Sequence, residues 1–449
     1  MGGVAPVTEG VGTAGVTAAG TETKTDAEAE TEAGSAAQPG PPAGEAAPPP
    51  ARPPRLYALD LIRFIAAAVV VLRHWVAIGA VYVGNHWVYA WGIAQPKHIA
   101  PFPLVAVATY GDLGVQLFFL ISGFVICMSS WGRTLGQFGT SRVSRLYPAY
   151  WFSVLASIAV LLALPRLGVH RWPGTFHDVL MNLTMTQSFY GVHDIDPVYW
   201  TLAAELRFYL LFAIVVAFGV TYRRVMYFCW LWVFAAMFTQ VTGNGTLNQI
   251  LQPAYAPYFI AGVAFFLMWR FGPTMLLWAL VGVSFLTAQS QTTPDPASFP
   301  EIGWAYPRWP MLLCLVLFFT LMALVALHKL DWVSWKPLAT LGALTYPLYL
   351  LHQDIGFTMI AYLHRHLSFW PTLGVASVGI LALCYLVQRF VEPTVQRLLK
   401  NGIKNSLAAM RRGDEGTPSA GRGSRSRTFL IPHQTAASSP SPSPSEPAP

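Results

Sequence analysis

Two residues stand where an apolar helix should hold none. The run Leu59-Asp60-Leu61-Ile62-Arg63-Phe64 leads through alanines and valines to Leu72-Arg73-His74-Trp75. A charge inside a bilayer-length helix is costly and marks a functional position by default. Arg63 and His74 are eleven residues apart, three helical turns and roughly 16 Å along the axis. One helix face thus carries a permanent cation and a titratable imidazole. A neutral imidazole can take a proton from a hydroxyl or carry an acyl group. A guanidinium can hold an anionic group or orient a carboxylate. The bland alternative is a histidine at the membrane interface and a snorkelling arginine.

Further polar residues follow in other apolar stretches. Gly111-Asp112-Leu113-Gly114 leads to Phe118-Phe119-Leu120-Ile121-Ser122-Gly123-Phe124, where small residues at 111, 114, 122 and 123 permit close helix approach. Arg142-Val143-Ser144-Arg145-Leu146-Tyr147-Pro148 puts two arginines at i and i+3, on one helix face. That pair suits a polyphosphate such as the nucleotide end of coenzyme A, or serves as a positive anchor at the membrane surface. Tyr199-Trp200-Thr201-Leu202-Ala203-Ala204-Glu205-Leu206-Arg207 places an acid at membrane depth. Arg207 faces elsewhere on that helix, so the partner of Glu205 is expected on another span, with Arg63 and His74 as candidates. Thr345-Tyr346-Pro347-Leu348-Tyr349-Leu350-Leu351-His352 adds a second intramembrane histidine.

The elements that must position these groups follow from composition. The chain has 449 residues, 54% hydrophobic and only 11% charged. Between residues 51 and 400 only 32 of 350 are charged. A water-soluble globule carries about a quarter, so a soluble enzyme is excluded. Apolar runs able to cross a bilayer fall at 57–80, 112–130, 146–165, 199–219, 225–242, 250–269, 273–290, 310–327, 338–363 and 371–391. The expected fold is all-α: a polytopic membrane helical bundle of about ten transmembrane helices. Residues 176–190, broken by Asn182 and Gln187, read as a loop or re-entrant piece.

Residues 1–52 are Ala-, Pro- and Glu-rich, and residues 401–449 are Ser-, Pro- and Arg-rich, so both are expected to be disordered tails around a transmembrane domain at 53–400. An even number of spans puts both termini on one side. With that side cytoplasmic, the inner connections hold eight basic residues and the outer ones five. The positive-inside rule then predicts a multi-pass plasma-membrane protein with both termini cytoplasmic. The net charge of +7 follows this pattern, so nucleic-acid binding is not expected. Cys127, Cys229, Cys314 and Cys384 lie in apolar segments without CxxC spacing, so neither a disulfide framework nor a metal site is expected.

Taken together, these segments resemble the acyltransferase-3 family of integral-membrane O-acyltransferases. The residues carrying the resemblance are Leu59-Asp60 with Arg63 and His74, Gly114-Val115 with Phe118 to Phe124, Arg142 with Arg145-Leu146-Tyr147-Pro148, Trp200-Thr201-Leu202 with Glu205 and Phe208-Tyr209, and Tyr346-Pro347-Leu348-Tyr349-Leu350 with His352. They lie in family order across residues 57–391. Two departures stand out. Leu61-Ile62 replaces a glycine frequent between the Asp and Arg of the first motif, and Leu206 replaces a second acid frequent after Glu205.

The resemblance implies transfer of an acyl group, commonly acetyl, from acyl-coenzyme A to a hydroxyl. Acceptors in the family are glycans, peptidoglycan, lipid-linked sugars or glycosylated natural products. It implies no permanently bound cofactor, and here a stand-alone form without an extracytoplasmic hydrolase domain; the Ala-, Pro- and Gly-rich tails point to a GC-rich, bacterial genome. Catalytic roles are expected for His74, Arg63, Glu205 and Asp60. Arg142, Arg145 and Tyr147 are expected to hold the donor, and Trp200, Ser122, Tyr349 and His352 to contact substrate. His74 would act as general base or as transient acyl carrier. A rival class is a transporter or exporter of a polar molecule, which ten spans and intramembrane charges also fit. Against it stand the lack of duplicated halves and of a matched pair of broken helices.

Overall fold

In the computed structural model, residues 55–83, 86–91, 100–164, 174–291 and 307–415 are described. The expected N-terminal tail and the end of the C-terminal tail lie outside them. Helix α1 (Tyr57–Leu72) passes into a π-helical turn at Arg73–Ile78, which Gly79 ends in the left-handed conformation. A short antiparallel hairpin, β1 (Ala80–Val83) and β2 (His86–Tyr89), follows, with Val81 opposite Val88. These two strands are a small exception to the all-helical expectation. Next come α2 (Phe102–Thr109), α3 (Gly114–Ser130) and α4 (Leu135–Ala163). A capping box starts α4, with Thr134 and Gln137 satisfying each other's backbone N–H groups.

The segment read as a loop is part helical: α5 spans Phe176–Leu183, and a single 3-10 turn follows at Gln187–Phe189. The chain continues through α6 (Trp200–Ala217), α7 (Tyr222–Thr242), α8 (Gly245–Leu251), α9 (Ala256–Phe271), α10 (Met275–Gln291) and α11 (Arg308–Ala326). It ends with α12 (Leu338–Leu351), α13 (Asp354–Leu363), α14 (Phe369–Leu386) and α15 (Glu392–Glu415).

Among the described residues, eight helices are long and apolar enough to cross a membrane. The ten expected spans map onto these eight, onto the shorter α10, and onto one broken pair. The run 338–363 is not one span but two short helices, α12 and α13, separated at His352-Gln353. Pro347 removes one backbone donor within α12. Asp196, from the stretch before α6, then accepts the N–H of Asp354 at 3.1 Å and so caps α13 from outside the helix. At the C-terminus α15 runs on to Glu415, fifteen residues past the boundary expected at Lys400, because Leu398, Leu399 and Ala408-Ala409 keep helical propensity where composition suggested a tail.

The centre of the bundle is α9, buried from Ala256 to Met268. A helix apolar on every side must be surrounded by other helices. It packs on α3 where Gly123 meets Gly262. A Cβ on Gly123 would strike the Phe259 carbonyl, and one on Gly262 would strike the Leu120 carbonyl. Gly111 and Gly114 likewise let α3 and the turn before it approach α1 at Val69 and Ala66. The three glycines among the four small residues expected to serve packing therefore do so.

Candidate active site

A cavity open on one side lies among α1, α3, α4, α6 and α12. Its polar lining is Arg63, Ser122, Arg142, Arg145, Glu205 and Tyr209, and its far wall includes Thr201, Tyr346 and Tyr349. Six of the expected site residues thus converge: Arg63, Ser122, Arg142, Arg145, Glu205 and Tyr349. They come from five helices spread over almost three hundred residues.

The charges inside are unequal. Glu205 is not ion-paired to Arg63 or His74, the partners that sequence suggested. Its Oε1 accepts hydrogen bonds from Ser122 at 2.8 Å and Tyr209 at 2.6 Å. One hydroxyl from α3 and one a turn further along α6 reach it, whereas the Arg63 guanidinium does not come within ion-pair distance. Arg142 is half satisfied: Nη2 donates to Ser129 at 2.9 Å and Ser141 at 3.2 Å, while its buried Nε has no partner. Among the described residues, Arg63 and Arg145 line the cavity with no hydrogen bond or ion pair to protein. Two guanidinium groups without a protein partner, one inside the cavity and one at its exposed edge, favour an anionic occupant.

His74 lies elsewhere. The π-helical turn carries it to α12, where His352 Nε2 stands 3.1 Å from His74 Nδ1. Single-turn π segments are rare and recur at functional sites. His74 Nδ1 is also 2.9 Å from the Val70 carbonyl. Next to it, Trp75 Nε1 donates to the His352 carbonyl at 2.7 Å, and Gly356 leaves room for the indole. Arg73, buried, donates to the Thr109 carbonyl and lies 3.6 Å from Asp112. Arg63 and His74 thus do not serve one pocket wall. Tyr349 joins the two places: it lines the cavity, and its ring centroid is 5.8 Å from that of His352.

Besides the two histidines, three expected site residues lie outside the cavity. Asp60 pairs with Arg55 at 2.9 Å and packs on Gly342, so it ties the start of α1 to α12. Tyr147 donates to the Thr184 carbonyl at 3.0 Å, because α4 turns that ring towards α5. Trp200 stacks between Tyr255 and Phe119 at 5.3 and 6.3 Å. His352, expected to contact substrate, stands beside His74.

Sequence reading missed Asp196. Its Oδ1 accepts from Val198 N–H and its Oδ2 from Asp354 N–H, both at 3.1 Å. Asp196-Pro197 was a readable cap signal, but its reach to α13 was not. Burial holds the Asp196 carboxyl well above the usual carboxylate range, opposed by those two N–H bonds. Burial likewise raises Asp194 to about 6, against a 2.7 Å bond from Gln187.

The acyltransferase-domain profile of the acyltransferase-3 family matches residues 56–389. The chain is 24% identical over 346 residues to Acyltransferase MdmB of Streptomyces mycarofaciens, covering 68% of this chain and 84% of that one. It is 26% identical over 392 residues to Nodulation protein 10 of Rhizobium leguminosarum bv. viciae, covering 78% of this chain and 95% of that one. No solved structure matches it. The match spans every helix that lines the cavity and both histidines, and the chain belongs to the acyltransferase-3 family of membrane-integral acyltransferases.

Proposed function

We propose that the protein transfers an acyl group, acetyl in the simplest case, from acyl-coenzyme A to a hydroxyl of a sugar, glycan or glycosylated natural product. The observation that carries this reading is the pair of unpartnered guanidinium groups, Arg63 and Arg145, in a cavity that Tyr349, whose ring lies 5.8 Å from that of His352, also lines. Depth along the helices supports a direction. Starting from Tyr57, Leu135 and Leu338, which begin their helices at one side, Arg63 and Arg142 lie roughly 10 Å in, Tyr349 roughly 17 Å and His74 roughly 25 Å. With the termini cytoplasmic, as the basic residues favour, the donor's phosphates sit at Arg63, Arg142 and Arg145. The thioester then points past Tyr349 towards His74, and the acceptor approaches from the far side.

In this reading His74 Nε2 takes the hydroxyl proton as the oxygen attacks the thioester carbonyl. The C–S bond breaks, the thiolate receives that proton, and an ester and free coenzyme A result. A transient acyl-histidine is the other route, and trapping acyl-enzyme with donor alone distinguishes it. Neither route draws on a metal.

The test uses membranes carrying the wild type or His74→Ala, labelled acetyl-coenzyme A and host extract, read by mass spectrometry. A product heavier by one acetyl group that disappears in His74→Ala is expected. An undiminished product in the variant removes His74 from the chemistry. Flux of a polar solute that depends on the protein, with no acylated product from any donor, returns the transporter reading.

A further inference from the structure

We propose that His352 is a positioning residue for His74: a buried, neutral imidazole that accepts the His74 Nδ1–H, aims Nε2 at the reacting hydroxyl, and shares the charge formed when Nε2 takes a proton. The inference rests on the acyl-transfer reading and concerns a role that reading leaves open.

The hydrogen-bond pattern dictates the tautomers. His352 Nδ1 faces two backbone carbonyls, Tyr349 at 2.8 Å and Leu348 at 3.2 Å. Carbonyls only accept, so this nitrogen carries the proton. In a neutral ring the other nitrogen, Nε2, is then a lone pair. His352 is fully buried, and no carboxylate bonds its ring. Its Nε2 stands 3.1 Å from His74 Nδ1, which must therefore be the donor. The Val70 carbonyl at 2.9 Å requires the same assignment independently. Both constraints leave the proton on His74 Nδ1 and the lone pair on His74 Nε2, which bonds to no described protein atom.

The order of bonds is that of a nucleophile-activating triad, with a neutral imidazole in place of the usual carboxylate. The difference has a physical consequence. A carboxylate would put a fixed negative charge in a buried, apolar place, where an unpaired ion is expensive. A neutral partner costs little at rest. When His74 takes a proton at Nε2, the pair carries one positive charge, and the Nδ1–H bond to His352 becomes charge-assisted and stronger. The proton leaves again from Nε2 to the thiolate, so the pair ends as it began.

The pair is also clamped from its backbone side. The Trp75 indole on the π turn donates to the carbonyl of His352, so the two segments hold each other in both directions. A ring that served only to fill space at a helix end would not need its acceptor nitrogen aimed at another imidazole.

The experiment takes the full-length protein in lipid nanodiscs, with the labelled acetyl-coenzyme A and host extract that give the His74-dependent product. His352→Phe keeps ring volume and removes the acceptor. It should lower kcat on the order of a hundredfold, with the donor's KM within about twofold. His352→Gln offers an amide oxygen to His74 Nδ1 and should recover at least about a tenth of wild-type kcat. Should the Phe variant fail to fold, His352→Asn, whose shorter amide cannot reach His74, takes its place with the same expectation. Near wild-type kcat in His352→Phe, beside an inactive His74→Ala, overturns the proposal. So does a Gln variant no better than the Phe variant when both keep the wild-type melting temperature. Full activity in His74→Ala instead overturns the acyl-transfer reading itself.

Discussion

Ser122 on α3 donates a 2.8 Å hydrogen bond to Glu205 Oε1 on α6, and Tyr209 donates to the same oxygen. The carboxylate is therefore held by hydroxyls, and its charge faces the arginines across the cavity uncompensated by contact. Glu205→Gln keeps an oxygen for both hydroxyls and removes a negative charge from the space proposed to hold the donor's phosphates. The KM for acyl-coenzyme A should fall roughly threefold to tenfold. Steady-state kinetics check this; a rise in KM would mean that the carboxylate itself binds the donor.

Arg145 has the opposite sign and the opposite consequence. It lies at the exposed edge of the cavity, lines it, and has no protein partner among the described residues. Arg145→Ala should raise the donor's KM by about tenfold or more and change kcat by less than about threefold. The effect should shrink as salt is added, since exposed charges are screened. An unchanged donor dependence would make Arg145 a membrane anchor.

Gly123 bears on the whole bundle and not on the chemistry. Its missing side chain lets α3 lie against α9, and any Cβ would strike the Phe259 carbonyl. Gly123→Ala should destabilise the protein by about 1–3 kcal/mol or more, because neither backbone can yield without moving a helix. Thermal unfolding in detergent measures it. Gly136→Ala, where a Cβ meets nothing, serves as the control and should leave stability unchanged or raise it.

The stretch before α6 should make stability fall as pH rises. Burial raises Asp194 to about 6 and Asp196 well above the usual range. The folded protein therefore holds protons that the unfolded chain, with ordinary carboxylates near 4, has already released. The stability these groups add is fully present below that unfolded value and is lost as pH rises to their folded values, near 6 for Asp194 and higher for Asp196, at up to about 1.4 kcal/mol per pH unit for each group. Asp194→Asn should flatten part of that slope in melting curves taken across pH 4 to 8. A slope that rises with pH, or one unaffected by the substitution, contradicts the burial argument.

Much of this molecule is legible in the chain alone. A core region with 9% charged residues must lie in lipid, and lipid admits a helical bundle. The few polar groups left in the spans then stand out by their cost. Arg63, Arg142, Arg145 and Glu205 stand out on that ground, Ser122 and Tyr349 through the family resemblance, and all six line one cavity. Glycines at 111, 114 and 123 were readable as sites of close approach because small residues are what helices in lipid use to pack.

What the sequence could not decide was pairing. Hydropathy is read along a helix and says nothing about which helix lies beside it. Glu205 was expected to find a cation and instead found Ser122 and Tyr209. Tyr147 and Trp200 had the right types, but the rotation of their helices turned them to other neighbours. His74 and His352 are 278 residues apart, and each alone reads as a lone histidine in an apolar segment. Only the packing of α1 against α12, the π turn at Arg73–Ile78 and the break after α12 bring their nitrogens to 3.1 Å. Residue chemistry and spacing are local properties and determine the class of protein and the candidate groups. The side chains each group faces depend on helix rotation and depth, which are set by the fit of all the helices together.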